Sequence, residues 1–411
     1  MTSLVLVVNA GSSSLKYQLL DADAPDGVEP VVVGLVERIG RAGGAGAGPA
    51  AAGDEPNVHH TTSSGQHDRY VACADAGEAF AELLDSFARH GPDLAGVDLA
   101  AVGHRVVHGG KYFAAATLVD DEVLATIAGL SSLAPLHNPA HVEGIRLARA
   151  SFPGVPQVAV FDTAFHQTLP PRAYTYAVPR AWRDEHSVRR YGFHGTSYAY
   201  VSRRAAELLG RPLQETAMVV LHLGNGSSAA AILDGRSIDT SMGLAPLEGL
   251  VMGTRSGDLD PAVAGHLARA GVPVEEFDRA VTTESGLLGL SGHSDFRAVV
   301  AAAGAGDPDA QLAIEVTAYR IRAYVGAYTA ALGRLDAVVV TGGVGEHSPL
   351  LRSASLGGLG VLGIVLDEQA NALATSGQHV ISAHHSPVAV LVVPTDEELE
   401  IARQSRDLVR R

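Results

Sequence analysis

Short runs of β-branched and aliphatic residues alternate along the chain with longer stretches whose apolar residues recur at helical spacing. We predict strands at the clearest runs, which are residues 4–8, 31–36, 157–161, 217–223, 337–340 and 388–393. Between these runs, apolar residues at helical spacing predict helices over residues 77–90, 139–150 and 307–332. Strands that alternate with helices are typical of mostly parallel sheets covered by helices, so the pattern predicts an α/β fold.

Local signals mark the ends of some of these elements. Asn138 stands before Pro139, which predicts an N-cap followed by proline at the first helical position. Thr395 with Glu398 forms a capping-box pattern and predicts a last helix that ends near Val409. The segment 41–56 is rich in Gly, Ala and Pro without periodicity, so we interpret it as a flexible connection between elements.

Two segments that are far apart in the sequence share one pattern. Residues 7–14 (VVNAGSSS) and 221–228 (LHLGNGSS) each pass from an apolar run into a Gly/Asn/Ser turn and on into another apolar run. They lie about half the chain apart, which favours two related halves that each present a Gly-Ser hairpin to a shared cleft. The alternative is a pair of unrelated hairpins that share turn chemistry.

The composition limits the kinds of partner. With 46% apolar and 18% charged residues among 411, the chain is globular and long enough for two or three domains. Its net charge of −15 opposes nucleic acid and anionic membranes, so we predict neither as a partner. Cys73 is the only cysteine, which excludes disulfide frameworks and cysteine-rich metal sites, and the 18 histidines lack the spacing of a zinc site. The apolar run near the N-terminus is too short for a signal core or a membrane span, and we predict a cytoplasmic protein.

Three segments of small residues suit the binding of a phosphate. The turns near Gly11 and Gly226 leave backbone N–H groups uncovered and add hydroxyl donors, and Lys16 adds a charge beside the first turn. A third segment, residues 341–347 (TGGVGEH), follows a buried run. Together they predict a nucleotide site, although the chain contains no Walker A motif. We interpret the GxGxxG pattern at residues 358–363 as a chance match, because no strand is predicted before it.

Four charged or titratable side chains are candidates for substrate binding or catalysis because of their neighbours in the sequence. Arg105 lies beside a β-branched pair, where its planar guanidinium suits a carboxylate and Val107 offers an apolar wall. Arg255 lies in a loop of small residues and His194 between aromatic residues and glycine, where both could reach a phosphoryl group. Asp162 stands at the carboxyl end of a predicted strand, a common place for ligand-binding carboxylates.

Seven motifs resemble those of the acetate kinase family, in the family's order and over nearly the whole chain. They are residues 9–16, 103–110, 134–139, 161–166, 191–197, 222–228 and 253–258. The resemblance implies an α/β fold of two related domains of the sugar kinase, actin and Hsp70 type, with a nucleotide cleft between them. We assign residues 1–162 to an N-terminal domain, to which a C-terminal helix 396–411 returns. Residues 163–395 are assigned to a C-terminal nucleotide-binding domain.

The same resemblance implies an activity. This is reversible phosphoryl transfer from ATP to the acetate carboxylate, giving acetyl phosphate and ADP, with Mg²⁺ or in its place Mn²⁺, in a homodimer. A propionate or butyrate kinase with the same mechanism is an alternative, as is a nucleotide-gated protein of this fold without catalysis. A sugar kinase is disfavoured, because a hydroxyl acceptor calls for a base and gives no reason for a carboxylate-binding Arg105.

Carried over residue by residue, the resemblance implies a role for each matched position. Asn9 and Glu397 would hold the metal, although Glu397 could also be a first-turn acid that favours its helix. Arg105 would bind the carboxylate. Asp162 is often cast as an acid or base in this family, but an ordinary carboxylic acid is already ionised at pH 7, so our own hypothesis is that Asp162 orients Arg105 or a water on the metal. His194 and Arg255 would stabilise the transferring phosphoryl group. The methyl pocket would comprise Val107, Leu136, Phe193 and Pro246, with His137 nearby. The nucleotide site would comprise Lys16, His222, Leu223, Gly224, Asn225, Gly226, Asp295, Phe296, Arg297, Gly343, Val344, Gly345, Glu346 and His347.

Two positions depart from the family's pattern. Tyr198 stands where the family usually has histidine, and His347 where it usually has asparagine. The first bears on the support of the active-site loop. The second bears on contacts with the nucleotide base, since histidine and asparagine present different donors and acceptors.

Overall fold

The computed structural model describes residues 3–40, 57–135 and 137–410. The segment 41–56, predicted as a flexible connection, and Leu136, predicted for the methyl pocket, lie outside the described residues. The chain forms two compact units, one comprising Met1–Ala164 with Glu397–Arg411 and the other Phe165–Asp396. Within the described ranges, no helix combines the length and the apolar character that crossing a membrane requires.

The sheet of the first unit has eight strands. They are β1 (Leu4–Ala10), β2 (Ser14–Asp21), β3 (Val32–Glu37), β4 (Val58–Thr62), β5 (Gly65–Arg69), β6 (Leu99–Val106), β7 (Thr117–Leu118) and β8 (Gln157–Phe161). Their spatial order is β5-β4-β3-β2-β1-β6-β8-β7. The central strands β1, β6 and β8 are parallel, and β2 and β7 pair antiparallel with β1 and β8. Every residue of β8 is buried, as expected of a parallel strand covered on both faces.

The sheet of the second unit has six strands. They are β9 (Ala217–Leu223), β10 (Ser227–Leu233), β11 (Arg236–Thr240), β12 (Ala337–Thr341), β13 (His379–Val380) and β14 (Ala389–Val392). Their spatial order is β11-β10-β9-β12-β14-β13. Here too the central strands β9, β12 and β14 are parallel, and β10 and β13 pair antiparallel with β9 and β14.

The two sheets share one topology. The order β3-β2-β1-β6-β8-β7 of the first unit corresponds strand by strand, in direction as well as position, to β11-β10-β9-β12-β14-β13 of the second. The two repeated sequence segments form the equivalent hairpins, β1–β2 and β9–β10. Two unrelated hairpins would not bring four further strands into the same arrangement, so the architecture supports two related halves.

Fifteen helices complete the described part of the chain. They are α1 (Ala76–His90), α2 (Asp121–Gly129), α3 (Asn138–Ser151), α4 (Pro171–Tyr174), α5 (Arg180–His186), α6 (Gly195–Leu208), α7 (Ala262–Arg269), α8 (Val274–Thr283), α9 (Gly286–Ser291), α10 (Phe296–Gly304), α11 (Pro308–Leu332), α12 (Gly342–His347), α13 (Pro349–Leu356), α14 (Glu368–Leu373) and α15 (Glu397–Val409). In the second unit α11 packs on β9 and β10, and its buried residues join one core with both strands. In the first unit α1 and α3 pack on the sheet, and α15 packs against β1 and β6.

A glycine on β6 allows α15 to approach the sheet closely. A Cβ at Gly103 would lie 2.7 Å from the Ser405 hydroxyl and 2.8 Å from a methyl group of Ile401, both on α15. Real Cβ contacts are longer than this, so a larger residue would displace the helix. Because Glu397 is the first residue of α15, this packing also fixes where that carboxylate lies relative to β6.

The sequence predictions for the elements are largely confirmed. Both β8 and β9 match their predicted runs at both ends, and α15 ends at Val409. The capping prediction for α3 is wrong, because the Asn138 amide bonds the backbone N–H and carbonyl of His108 and the carbonyl of Ile127, and His137 takes the N-cap position. The GxGxxG pattern at 358–363 follows α13 and not a strand, so its interpretation as a chance match is confirmed.

Several histidines are buried as neutral rings. His104 donates from Nε2 to the Gln157 side-chain oxygen at 2.8 Å, and His166 donates from Nε2 to the Phe193 carbonyl at 3.0 Å. Burial lowers the pKa of each of these rings to about 4, and burial lowers that of His141 to about 3. In the unfolded chain the same groups titrate at their ordinary value of about 6.5.

These shifts predict that acid destabilises the protein. Below pH 6.5 the unfolded chain binds protons that the folded protein takes up only near pH 4, so the free energy of unfolding should fall through that interval. Each such ring contributes a loss of roughly 3 kcal/mol by pH 4. Urea unfolding of the protein and of His104→Asn at several pH values measures this. The variant should show a shallower fall by about one proton, and an unchanged slope would contradict the assignment of His104.

Candidate functional site

The loop after β9 and the start of α12 lie at the carboxyl ends of neighbouring parallel strands. His222 and Thr341 are paired across β9 and β12, so the segments that follow both strands emerge at one edge of the sheet. Gly342, with φ +80°, brings α12 against β9, and a Cβ there would lie 2.7 Å from the Leu223 carbonyl oxygen. This edge is the usual ligand-binding position of open α/β sheets.

A cavity of about 830 Å³ opens at this edge of the second unit. It is lined by Gly224, Asn225, Leu287, Ser294, Asp295, Phe296, Arg297, Gly343, Val344, His347 and Ser348. Eight of the residues predicted for the nucleotide site are in this lining. A Cβ at Gly343 would meet nothing within 4 Å, so the backbone there is open to a ligand. The size suits a nucleotide, since ligand cavities commonly measure about 300 to 1,000 Å³.

Three lining residues were not predicted. Ser294 and Ser348 stand before Asp295 and Pro349, and Ser348 caps α13 by accepting from the Leu351 N–H at 3.2 Å. A serine before a proline is an N-cap signal that places a residue at a helix start, so sequence could have suggested Ser348. Leu287 carries no such signal.

The other residues predicted for the nucleotide site lie outside that lining. His222 stacks on His194 with ring centroids 4.1 Å apart, and Gly226 lies beside both His194 and Arg255. Gly345 packs against Val340 and Leu223. The Glu346 carboxylate accepts from the Gly342 N–H at 2.8 Å and so supports the turn into α12. Lys16 lies in the first unit.

His194 and Arg255 converge on Gly226. A Cβ on that glycine would lie 3.5 Å from His194 Nε2 and 3.7 Å from Arg255 Nη1. His194 occupies the left-handed region at φ 57° directly before α6, a conformation that is uncommon for non-glycine residues, although histidine adopts it more often than most. Two hydrogen-bond donors therefore border a space that the absent side chain leaves open.

Arg255 is a cation without a neutralising partner in the described chain. Its Nη1 donates to the Pro246 carbonyl at 2.7 Å, and none of the described carboxylates forms an ion pair with it. Burial lowers the pKa of its guanidinium, yet arginine stays charged at neutral pH. A half-buried positive charge of this kind is stabilised by an anion, and the open space beside Gly226 fits a phosphate oxygen.

For the phosphoryl transfer expected from the seven motifs, Gly226→Ala should therefore lower kcat/KM by about 10²-fold, because its methyl group fills the space between the two donors. The neighbouring atoms at 3.5 to 3.7 Å are at ordinary contact distance, so we expect the fold to be retained. Gly326→Ala in α11 is the matched control. Its Cβ meets nothing within 4 Å, and it should keep full activity while raising the free energy of unfolding by about 0.5 to 1 kcal/mol. Equal loss of activity in both variants would contradict this placement.

The first unit contains an ion pair between half-buried Arg105 and buried Asp162 at the ends of β6 and β8. Arg105 donates from Nε to Oδ1 of Asp162 at 3.0 Å and from Nη2 to Oδ2 at 2.8 Å. The third group is Glu397, whose Oε2 lies 3.8 Å from Arg105 Nη2. The bidentate contact fixes the plane and direction of the guanidinium, and its Nη1 takes no part in that pair.

Burial and charge act in opposite directions on this pair. Burial lowers the pKa of Arg105, but the carboxylates of Asp162 and Glu397 outweigh it, so the guanidinium pKa is raised. Burial also raises the pKa of Asp162, and Arg105 opposes that rise. Since both oxygens of Asp162 accept from guanidinium N–H groups, neither is turned to donate a proton.

The predicted metal ligands are also in the first unit. Asn9 on β1 is paired with Lys16 on β2, so both side chains leave the hairpin on one face. Glu397 Oε2 is buried and accepts no hydrogen bond within the described residues. A buried carboxylate oxygen without a donor fits a hard cation such as Mg²⁺. Among the described residues, no group of three or more His, Cys, Asp or Glu side chains forms a metal site by itself.

The predicted methyl-pocket residues are divided between the units. Val107 is buried just beyond Arg105 in the first unit, whereas Phe193 and Pro246 lie in the second. His137 precedes α3, and its ring lies 6.5 Å from that of His141.

Two sheets of one topology, with a nucleotide-sized cavity at the strand ends of the second, are features of the fold that sugar kinases, actin and Hsp70 share. A family model described as the Acetokinase family matches residues 4–403. The chain belongs to this family, whose members are kinases that use ATP or ADP with a divalent metal.

Individual relatives agree with that assignment. An acetate kinase of Leifsonia xyli subsp. xyli is 55% identical over 408 residues, which covers 99% of both chains. The crystal structure of Porphyromonas gingivalis acetate kinase is similar with a TM-score of 0.90 at 40% identity, over 100% of both chains. That of a propionate kinase from Francisella tularensis subsp. tularensis is similar with a TM-score of 0.88 at 40% identity, over 98% of both chains.

Proposed function

We propose that the protein catalyses the reversible transfer of the γ-phosphoryl group of ATP to a carboxylate oxygen of acetate, giving acetyl phosphate and ADP. The observation that carries the proposal is that His194 and Arg255 lie together beside Gly226. Arg255 has no ion-pair partner in the described chain. Family membership and 55% identity to an acetate kinase support acetate as the acceptor.

Arg255 and His194 act on the transferring group. An acetate oxygen forms a bond to the γ-phosphorus while the bond to the bridging oxygen of ADP breaks, and its electron pair leaves with ADP. Negative charge is spread over the three equatorial oxygens of the transferring group along this path. The two donors beside Gly226 are already held where such an oxygen fits, so little reorganisation is needed in the transition state.

Arg105 acts on the acceptor. We propose that its free edge binds the acetate carboxylate while its Nε and one Nη nitrogen remain bonded to Asp162. Asp162 then orients the arginine and does not transfer a proton, which is consistent with an acceptor that has no proton to lose at neutral pH. Val107, Phe193 and Pro246 would contact the methyl group.

Mg²⁺ is the metal that we propose, held by Asn9 and Glu397. It would neutralise charge on the phosphate oxygens.

We also propose that the two compact units are the functional domains, that two chains form a homodimer and that the protein is cytoplasmic. The resemblance in the seven motifs supports these proposals, and sedimentation velocity tests the dimer.

Trapping of the acyl phosphate with hydroxylamine tests the function. The protein is incubated with ATP and Mg²⁺ and with acetate, propionate or butyrate in parallel reactions. Acetyl hydroxamate formed with the highest kcat/KM supports the proposal. A preference for a longer acid would assign the protein to another short-chain acyl kinase, since one methylene changes binding by only about 1 to 3 kcal/mol. No hydroxamate with any acid would contradict the proposed function.

A further inference from the structure

A chain of buried hydroxyl groups leads to the ring of His194. The Tyr198 hydroxyl on α6 lies 2.5 Å from Oγ of Ser228 on β10, and the same Oγ lies 2.9 Å from Nδ1 of His194. Tyr198 and Ser228 have no exposed surface. Within the described residues the Tyr198 hydroxyl has no other partner, and the Ser228 hydroxyl has only these two.

Only one choice of donors and acceptors satisfies both hydroxyl groups. If His194 Nδ1 carried a hydrogen and donated to Ser228, then either the Tyr198 or the Ser228 hydroxyl hydrogen would have no acceptor among the described residues. An unsatisfied buried hydroxyl is unfavourable, and protein interiors rarely contain one. Both hydrogens are accepted only when Tyr198 donates to Ser228 and Ser228 donates to Nδ1. Burial raises the pKa of Tyr198, so the phenol keeps the proton that it donates.

We infer that Tyr198 is a positioning residue, which through Ser228 holds His194 as the neutral ring with its hydrogen on Nε2. That nitrogen lies next to the open space at Gly226, beside Arg255. The hydrogen therefore points where a phosphoryl oxygen fits, and the ring cannot turn or change tautomer without breaking the chain of hydroxyl groups. The role assigned to Nε2 rests on the proposed function, whereas the tautomer rests on the hydrogen bonds alone.

The tautomer is measured without any substrate. Protein with ¹⁵N-labelled histidine is recorded at pH 8, and a His194→Gln spectrum identifies the His194 signals. We expect one neutral form with the hydrogen on Nε2 in the native protein and a mixture of both forms in Tyr198→Phe. A native ring with its hydrogen on Nδ1 would overturn the inference, even in an enzyme that makes acetyl phosphate. Failure of the proposed function would leave this spectrum unchanged.

Kinetics distinguish positioning from a general loss of stability. Tyr198→Phe should lower kcat by about fivefold to tenfold and leave KM for ATP and acetate within about twofold. Ser228→Ala should lower kcat further, because it removes the bond to the ring as well. Tyr17→Phe is the matched control, since it also removes a buried hydroxyl bonded to a histidine, His60 at 2.9 Å, in the core of the first unit. Equal losses in the two tyrosine variants, or an unchanged tautomer in Tyr198→Phe, would overturn the inference.

Discussion

Arg255→Ala is expected to lower kcat for acetyl phosphate formation by about 10³-fold or more, because it removes the charge that we propose to meet the transferring phosphoryl group. The guanidinium donates to one backbone carbonyl and has no ion pair within the described chain, so little structure depends on it. The variant should therefore fold, and relief of a buried charge should keep its free energy of unfolding close to that of the native protein.

Two further variants make this result specific. Arg255→Lys keeps a charge but not the planar fork, and should recover only part of the lost kcat. Arg322→Ala is the matched control. Arg322 in α11, like Arg255, donates to backbone carbonyls, here those of Ser355 and Gly357, and it is absent from the cavity lining. A kcat for Arg255→Ala within about tenfold of the native value, measured by hydroxamate trapping, would remove Arg255 from the proposed mechanism.

The strands that the sequence predicted well are those buried on both faces. All seven residues of β9 are buried, so an unbroken apolar run marks both of its ends. In β6 the run is interrupted by Gly103, His104 and Arg105, which hides a strand that nevertheless lies between β1 and β8. One of these residues, Arg105, forms the ion pair with Asp162.

The sequence indicated candidate side chains better than it indicated the contacts that support them. Arg255 and His194 were selected as candidates from residue type and glycine neighbours, and in the structure both lie beside Gly226. The hydroxyl chain behind His194 was not foreseen. It needs α6 to present Tyr198 toward Ser228 on β10, and packing of residues 30 positions apart leaves no local pattern. For the same reason Asn138, expected to cap α3, bonds the backbone of His108.

Arg105→Ala is expected to lower kcat/KM for acetate by about 10³-fold and to leave the dissociation constant for ATP within about twofold. Arg105 lies in the first unit, and the cavity that we propose for the nucleotide is lined only by residues of the second. Kinetics with varied acetate, together with calorimetric titration of ATP, measure the two effects separately. Weakened ATP binding of the same size would contradict the assignment of Arg105 to the acceptor.

Loss of Arg105 should also destabilise the first unit. The measurements must distinguish this loss of stability from the loss of acetate binding. Asp162 would be left buried without its guanidinium, a change that costs about 3 to 5 kcal/mol while the carboxylate stays ionised. Burial already raises the pKa of Asp162, and without Arg105 it should rise further. A group whose folded pKa is raised favours the folded state at low pH. The stability deficit of Arg105→Ala should therefore shrink as the pH falls, unlike the loss of acetate binding.

Asp162→Asn distinguishes orientation from acid or base catalysis. The amide keeps the volume, but its nitrogen cannot accept from the guanidinium, so Arg105 loses half of its bidentate support. We expect kcat/KM for acetate to fall by about 10²-fold with the shape of the pH profile unchanged. If Asp162 transferred a proton, one limb of that profile would disappear in the variant. An orienting carboxylate instead lowers the whole profile evenly, because the acceptor is bound less well at every pH.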